Sequence, residues 1–155
     1  MSLPFDISQI QTIIDTGIPH CGDIGLKIEK LEADAVTMRL PYDTRFVGNP
    51  VTGVLHGGII TTLIDTASGM CVYAKKQAYL PIATLDLRID YLKAATPGED
   101  VLTRAECYRL SKQIAFVRAV AYHDDINDPI ANSVSTFMLH STKSKPLNKL
   151  EDKAG

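Results

Sequence analysis

Apolar positions divide the chain into a helical entry, an irregular middle, one long helix and a strand-rich second half. Ile7, Ile10, Ile13 and Ile14 recur at helical intervals, and the run stops at Gly17 and Pro19. That spacing predicts a short amphipathic helix over residues 1–20, serving as a lid or brace. Two strands are expected at Leu26–Leu31 and Ala35–Leu40, joined by the turn-like Glu32-Ala33-Asp34. Between Pro41 and Leu55, the residues Gly48, Asn49, Pro50, Thr52 and Gly53 punctuate structure, which predicts a long loop leading into His56. Loops of that length in compact domains often carry function.

Gly57 to Ala74 has the pattern of a single helix. At about 100° per residue, Ile59, Ile60, Leu63, Ile64, Ala67, Met70, Cys71 and Ala74 form one wide apolar stripe, which is the core face. Lys75 and Lys76 follow, where positive charge suits a helix C-terminus. The opposite face carries Thr61, Thr62, Asp65, Ser68, Gly69 and Val72, without a Lys, Arg or Glu. Solvated helix faces normally bear long charged side chains, so this back is expected to be covered too. Asp65 then lies in a confined cleft or at a subunit contact.

Ala83–Leu92 alternates, with Leu85, Leu87, Ile89 and Tyr91 on one side and Thr84, Asp86, Arg88 and Asp90 on the other. After the turn Thr96-Pro97-Gly98, three more strands are expected at Val101–Leu110, Ile114–His123 and Ile130–His140. Short connections make them antiparallel neighbours. The expected fold class is α+β, with an antiparallel sheet of about six strands around one apolar helix. The main domain spans 21–141, and the charged segment 142–155 reads as a mobile tail.

Composition adds exclusions. The 155 residues are 45% apolar and 22% charged, as in ordinary globular domains. A net charge of −2 gives no broad basic field for a nucleic-acid backbone. Cys21, Cys71 and Cys107 are too widely spaced for a metal pattern and read as buried free thiols, and His20-Cys21 lacks further ligands, so no metal is expected. The stretch from Val54 to Ala74 is broken by His56, Asp65 and several glycines and threonines, a poor match to a membrane span. Without a visible basic and apolar leader, the cytoplasm is the expected location.

The chemistry concentrates in Gly53-Val54-Leu55-His56-Gly57-Gly58-Ile59-Ile60-Thr61-Thr62-Leu63-Ile64-Asp65-Thr66-Ala67. Glycines at a helix start allow close approach of a ligand to the backbone, and the first helical N–H groups have no intrahelical acceptor. They can donate to an oxyanion. Asp65 lies about 12 Å along the axis from the Gly57 amide, too far for both to grip one carbonyl. Either the two serve different steps or they come from different chains.

His-Gly-Gly followed by this acid, with Leu63 two positions before it, resembles the hotdog-fold thioesterases of the phenylacetate-pathway type, the group that includes acyl-CoA thioesterase 13. Thr84-Leu85-Asp86-Leu87-Arg88-Ile89-Asp90-Tyr91-Leu92 and the exit Ala94-Ala95-Thr96-Pro97-Gly98 are similar to that family's central strand and turn. The resemblance implies a hotdog fold, a homodimer with one continuous sheet that pairs into a homotetramer, and active sites between protomers. It implies an acyl-CoA substrate and no metal or redox cofactor. Asp65 would attack the thioester or activate water, and Gly57 would donate its N–H to the carbonyl from the partner chain. Asn49 would position substrate or water, although it stands one position further from His56 than is usual. Thr84 would assist the acid, and His56 would orient groups at the site. Gly58 and Ser68 are candidate substrate contacts, and Lys93, Arg109 and Lys112 are candidates for the phosphates of coenzyme A. Two other readings share the fold: an acyl-CoA-binding regulator without turnover, and an enoyl-thioester hydratase or dehydratase. A serine hydrolase is excluded because no GxSxG elbow follows the glycines.

Overall fold

The computed structural model describes residues 6–140. Asp6 starts the first helix, α1 (Ile7–Thr12), through a reciprocal cap in which its carboxylate accepts from the Gln9 N–H at 2.9 Å and the Gln9 side chain accepts from the Asp6 N–H at 3.0 Å. The chain then widens into a π-type turn (Ile13–Gly17) and enters a second short helix, α2 (Pro19–Asp23). The expected helix ends at Gly17, where its spacing predicts, and α2 is an additional element whose first turn accepts Pro19 because the missing N–H costs nothing there. Gln11 ties the segment to the sheet, accepting from the Ile28 N–H at 2.8 Å and donating to the Leu26 carbonyl at 3.0 Å. Ile10 and Ile14 are buried in the same apolar cluster as the central helix, so this segment is packed into the domain.

β1 (Lys27–Leu31), β2 (Ala35–Leu40), β5 (Ile82–Tyr91), β6 (Val101–Leu110), β7 (Ile114–Tyr122) and β8 (Ala131–Leu139) form one antiparallel sheet in the order β1-β2-β6-β7-β8-β5. The expected loop before His56 is more structured than its glycines suggest. It holds a 3-10 turn (Thr44–Phe46) and a small hairpin of β3 (Val47–Asn49) and β4 (Val54–Leu55).

The central helix α3 (Gly57–Lys76) lies on the sheet's concave face. Its Leu63, Ile64 and Val72 have no exposed surface. Each such side chain contributes about 1.5–3 kcal/mol of burial. The facing strands supply small residues, Ala105, Ala115, Ala119, Ala121, Ser133 and Ser135, which admit the helix closely. The helix ends where Gln77 adopts a left-handed backbone (φ 53°) and returns its N–H to the Ala74 carbonyl. A sheet wrapped around one long helix in this way is the hotdog arrangement. The segment 142–155, expected to be a mobile tail, lies outside the described residues, as does residue 141.

Candidate active site

His56 caps α3. Its Nδ1 accepts from the Gly58 N–H at 2.8 Å, the side-chain cap of the helix start. His56 is held from behind, because its own N–H donates to the Phe46 carbonyl at 2.8 Å and Gly48 packs against its backbone. A Cβ on Gly48 would stand 2.9 Å from His56 Cα. The close approach, rather than an unusual backbone angle, demands glycine there. Gly57 follows as the first residue of the helix, with its N–H free of intrahelical partners and half-open to solvent.

Asp65 is half-buried two turns further on, on the face turned toward β5. Thr84 donates from Oγ1 to Asp65 Oδ1 at 2.9 Å. Strict alternation along the strand sets Thr84 on the side of Asp86 and Arg88, away from Leu87, Ile89 and Tyr91. The structure corrects that reading. Thr84 pairs with Phe137 and Asp86 with the adjacent Thr136, so Leu85 is an extra residue, a β-bulge that turns Thr84 toward α3. Among the described residues Asp65 has no ion pair, so its Oδ2 is unclaimed.

The short helix α2 covers the neighbouring flank of α3. His20 Nε2 lies 3.4 Å from Thr62 Oγ1, and Cys21 Sγ lies 3.4 Å from Thr66 Oγ1. Burial raises the Cys21 thiol pKa and the Asp65 charge adds to that, while the Thr66 contact opposes it. All three cysteines are buried and free.

The remaining candidates are dispersed. Asn49 Oδ1 accepts from the Val51 N–H at 3.0 Å, closing the turn between β3 and β4. Ser68 is fully buried and its Oγ has no partner among the described residues, so it cannot touch a ligand unless the helix and sheet part. Arg109 lies 5.7 Å from the Phe116 ring centre, on the sheet's convex face, and Lys112 is exposed in the turn between β6 and β7. Lys93 forms an ion pair with Asp128. It also lines a cleft of about 280 Å³ at the start of α3, together with Leu55, Gly57, Ile60, Tyr91 and Ala95.

Tyr91, which alternation assigns only to the apolar face, also meets the helix start and lines this cleft. Its hydroxyl donates to the Gly57 carbonyl at 2.7 Å and lies 2.8 Å from Thr61 Oγ1. The available signal was its polar tip, since a tyrosine in an otherwise aliphatic row needs a partner for its O–H.

This helix and its flanking strands coincide with a match of residues 52–130, just over half the chain, to the thioesterase superfamily. The chain belongs to the thioesterase superfamily. It is 27% identical over 135 residues to the medium/long-chain acyl-CoA thioesterase YigI of Escherichia coli, covering 79% of this chain and 86% of that one. Acyl-coenzyme A thioesterase 13 of Homo sapiens is 34% identical over 64 residues, 41% of this chain and 45% of the human protein. A crystal structure of a Pseudomonas aeruginosa protein matches with a TM-score of 0.77 and 41% identity, over 85% of this chain and 97% of that one. The hotdog fold is thus that of a thioester hydrolase. Among the described residues, no helix is long and apolar enough to cross a membrane.

Proposed function

We propose that this thioesterase hydrolyses acyl-coenzyme A thioesters in sites shared between two copies of the chain. The observation that carries the reading is Asp65: a carboxylate in a half-buried site, oriented through one oxygen by Thr84 and free of any cation among the described residues. An ion pair would hold the carboxylate as a spectator. Thr84 instead fixes Oδ1 and leaves Oδ2 available to take a proton from water.

In that route water loses its proton to Asp65 as its oxygen adds to the thioester carbon. The carbonyl oxygen becomes an oxyanion stabilised by the Gly57 N–H. Collapse breaks the C–S bond, the thiolate leaves and is protonated, and the acid product departs. Direct attack by Asp65 Oδ2 uses the same two groups, with water opening the resulting anhydride. Neither route calls on a metal or redox cofactor.

Sharing between chains follows from length and from an open edge. The roughly 12 Å between Gly57 and Asp65 along one helix excludes a common carbonyl within one protomer. β5 is an edge strand, and Leu85 and Tyr91 on it, with Leu92 just past its end, are about half exposed. A long edge with unpaired backbone N–H and C=O groups is a template for pairing. An antiparallel copy of β5 would continue the sheet and bring Asp65 of one chain toward the other's helix start. Tyr108, Val134 and Met138, exposed on the convex face, suit the pairing of two such dimers into a tetramer. Of the three candidate cations, Lys93 is favoured for a coenzyme A phosphate because it alone lines the cleft at Gly57. Asn49 keeps its Nδ2 for substrate or water while Oδ1 closes its turn. Three free buried thiols suit a reducing compartment, the cytoplasm.

The test is thiol release from a panel of acyl-coenzyme A substrates. Asp65→Asn is nearly isosteric and should lower kcat by at least about 100-fold with the fold intact. A well-folded variant with wild-type turnover would overturn the role of Asp65.

A further inference from the structure

The donor attributed to Gly57 has a mechanical weakness. Gly57 and Gly58 open the helix in sequence, and glycines have the widest backbone freedom of any residue. An N–H on such a segment points reliably only if its neighbours are anchored from outside. Upstream, the anchor is the His56 N–H on the Phe46 carbonyl. Downstream, it is Tyr91.

The Gly57 carbonyl already has an intrahelical donor in the Thr61 N–H, which would suffice for a helix. It receives two side-chain hydroxyls in addition: Tyr91 Oη at 2.7 Å and Thr61 Oγ1 at 3.1 Å, themselves 2.8 Å apart. Tyr91 comes from the end of β5, opposite Ala131 of β8, so the contact fastens the first turn of α3 to the rigid sheet. Its ring also closes the space over Gly57, where a Cβ would lie 3.4 Å from Cζ.

We propose that Tyr91 is the positioning residue that aims the Gly57 N–H at the thioester oxygen. The proposal rests on the hydrolase reading above. Its action is geometric. A hydrogen bond to the Gly57 carbonyl polarises the peptide that follows Gly57, whereas the donor N–H belongs to the peptide before it. Tyr91 therefore transfers no proton and tunes no charge in the step.

Tyr91→Phe keeps the ring and deletes the hydroxyl. The expected result is a kcat about tenfold lower with KM within about twofold, because the aim of the amide matters most when the oxyanion forms. The pH profile should keep its shape, and the thermal midpoint should stay within about 3 °C. Hydrogen exchange of the segment 54–63, followed by mass spectrometry, should be several-fold faster, since the first turn has lost its tie to the sheet. Unchanged exchange in that segment, or unchanged kcat beside an active wild type, would overturn the proposal. If the wild type releases no thiol from any acyl-coenzyme A, the hydrolase reading and the proposed aiming role fall together; faster exchange in Tyr91→Phe would then identify a structural tie alone.

Discussion

Thr84 reaches Asp65 only because Leu85 is one residue too many for its strand. The bulge turns the hydroxyl to the helix side, and the 2.9 Å contact restrains the carboxylate against rotation while leaving its second oxygen free. A neutral donor to a carboxylate contributes on the order of 1.5–3 kcal/mol of interaction, without the neutralising effect of a cation. Thr84→Val removes that donor at nearly constant shape. It should lower kcat by about tenfold, whereas Thr84→Ser should retain most of the activity. Steady-state kinetics of the pair decide the matter, and equal activity in both variants would deny Thr84 a part in orienting Asp65.

The same strand illustrates how far the chain could be read in advance. The six strands, the central helix and the acid on its uncharged face all follow from periodicity, because burial imposes it. Thr84 does not follow, since a bulge shifts register without leaving a Gly or Pro as a marker, and Leu85 looks like an ordinary strand residue. The β3–β4 hairpin was hidden for the opposite reason: Gly48, Asn49, Pro50 and Gly53 read as breakers, and two or three residues per strand are too few for alternation to register. Tyr91 was visible as an apolar side chain but not as a donor, since its partner is a backbone carbonyl from a distant segment.

Two glycines around His56 should respond differently to alanine. At Gly48 the added Cβ would meet backbone, 2.9 Å from His56 Cα, and no rotamer change relieves that. Gly48→Ala should lose about 1–2 kcal/mol and displace the helix start. At Gly58 the Cβ would meet the His56 ring, 2.8 Å from Nδ1, which can swing away. Losing that cap costs about 1 kcal/mol, and alanine in place of glycine within a helix returns about the same. Gly58→Ala should therefore be close to neutral in urea unfolding. A loss as large as that of Gly48→Ala would mean that the imidazole is not free to move.

Alkaline pH should destabilise the fold. Burial raises the thiol pKa of Cys71 well above its ordinary value and also raises those of Cys107 and Cys21, while the Tyr73 hydroxyl is pushed beyond the usual tyrosine range. In the unfolded chain the thiols ionise near about pH 8.5, so above that the unfolded state releases protons that the folded state keeps. The stabilisation is complete below about pH 8.5 and is lost as pH climbs toward the folded-state values, by up to about 1.4 kcal/mol per thiol per pH unit. Urea unfolding between pH 7.5 and 10 measures the slope, and Cys71→Ala should reduce it by about one thiol's share. A pH-independent unfolding free energy over that range would contradict the buried, neutral thiols.

The strictest test of a shared site is mutual rescue of two inactive variants. Asp65→Asn removes the carboxylate and leaves the Gly57 amide in place. Gly57→Pro removes the N–H at the first helical position, where proline fits because that amide has no intrahelical partner. His56 already has the extended backbone (φ −64°, ψ 133°) that a residue before proline requires. A Cβ at Gly57 would stand at ordinary contact distance, 3.4 Å, from the Tyr91 ring, so the helix start should accept the ring of proline. If each site takes Asp65 from one chain and the Gly57 amide from the other, a mixed dimer has one site lacking both groups. Its second site draws the carboxylate from the proline chain and the amide from the asparagine chain, and is complete. Refolding the two variants together in equal amounts puts about half the dimers in the mixed class, each with one good site of two. Activity should recover to about a quarter of wild type. Were both groups to act within one chain, no mixed dimer could hold a complete site. A refolded mixture of confirmed mixed dimers no more active than its parents would therefore assign Asp65 and Gly57 to separate tasks in a single protomer.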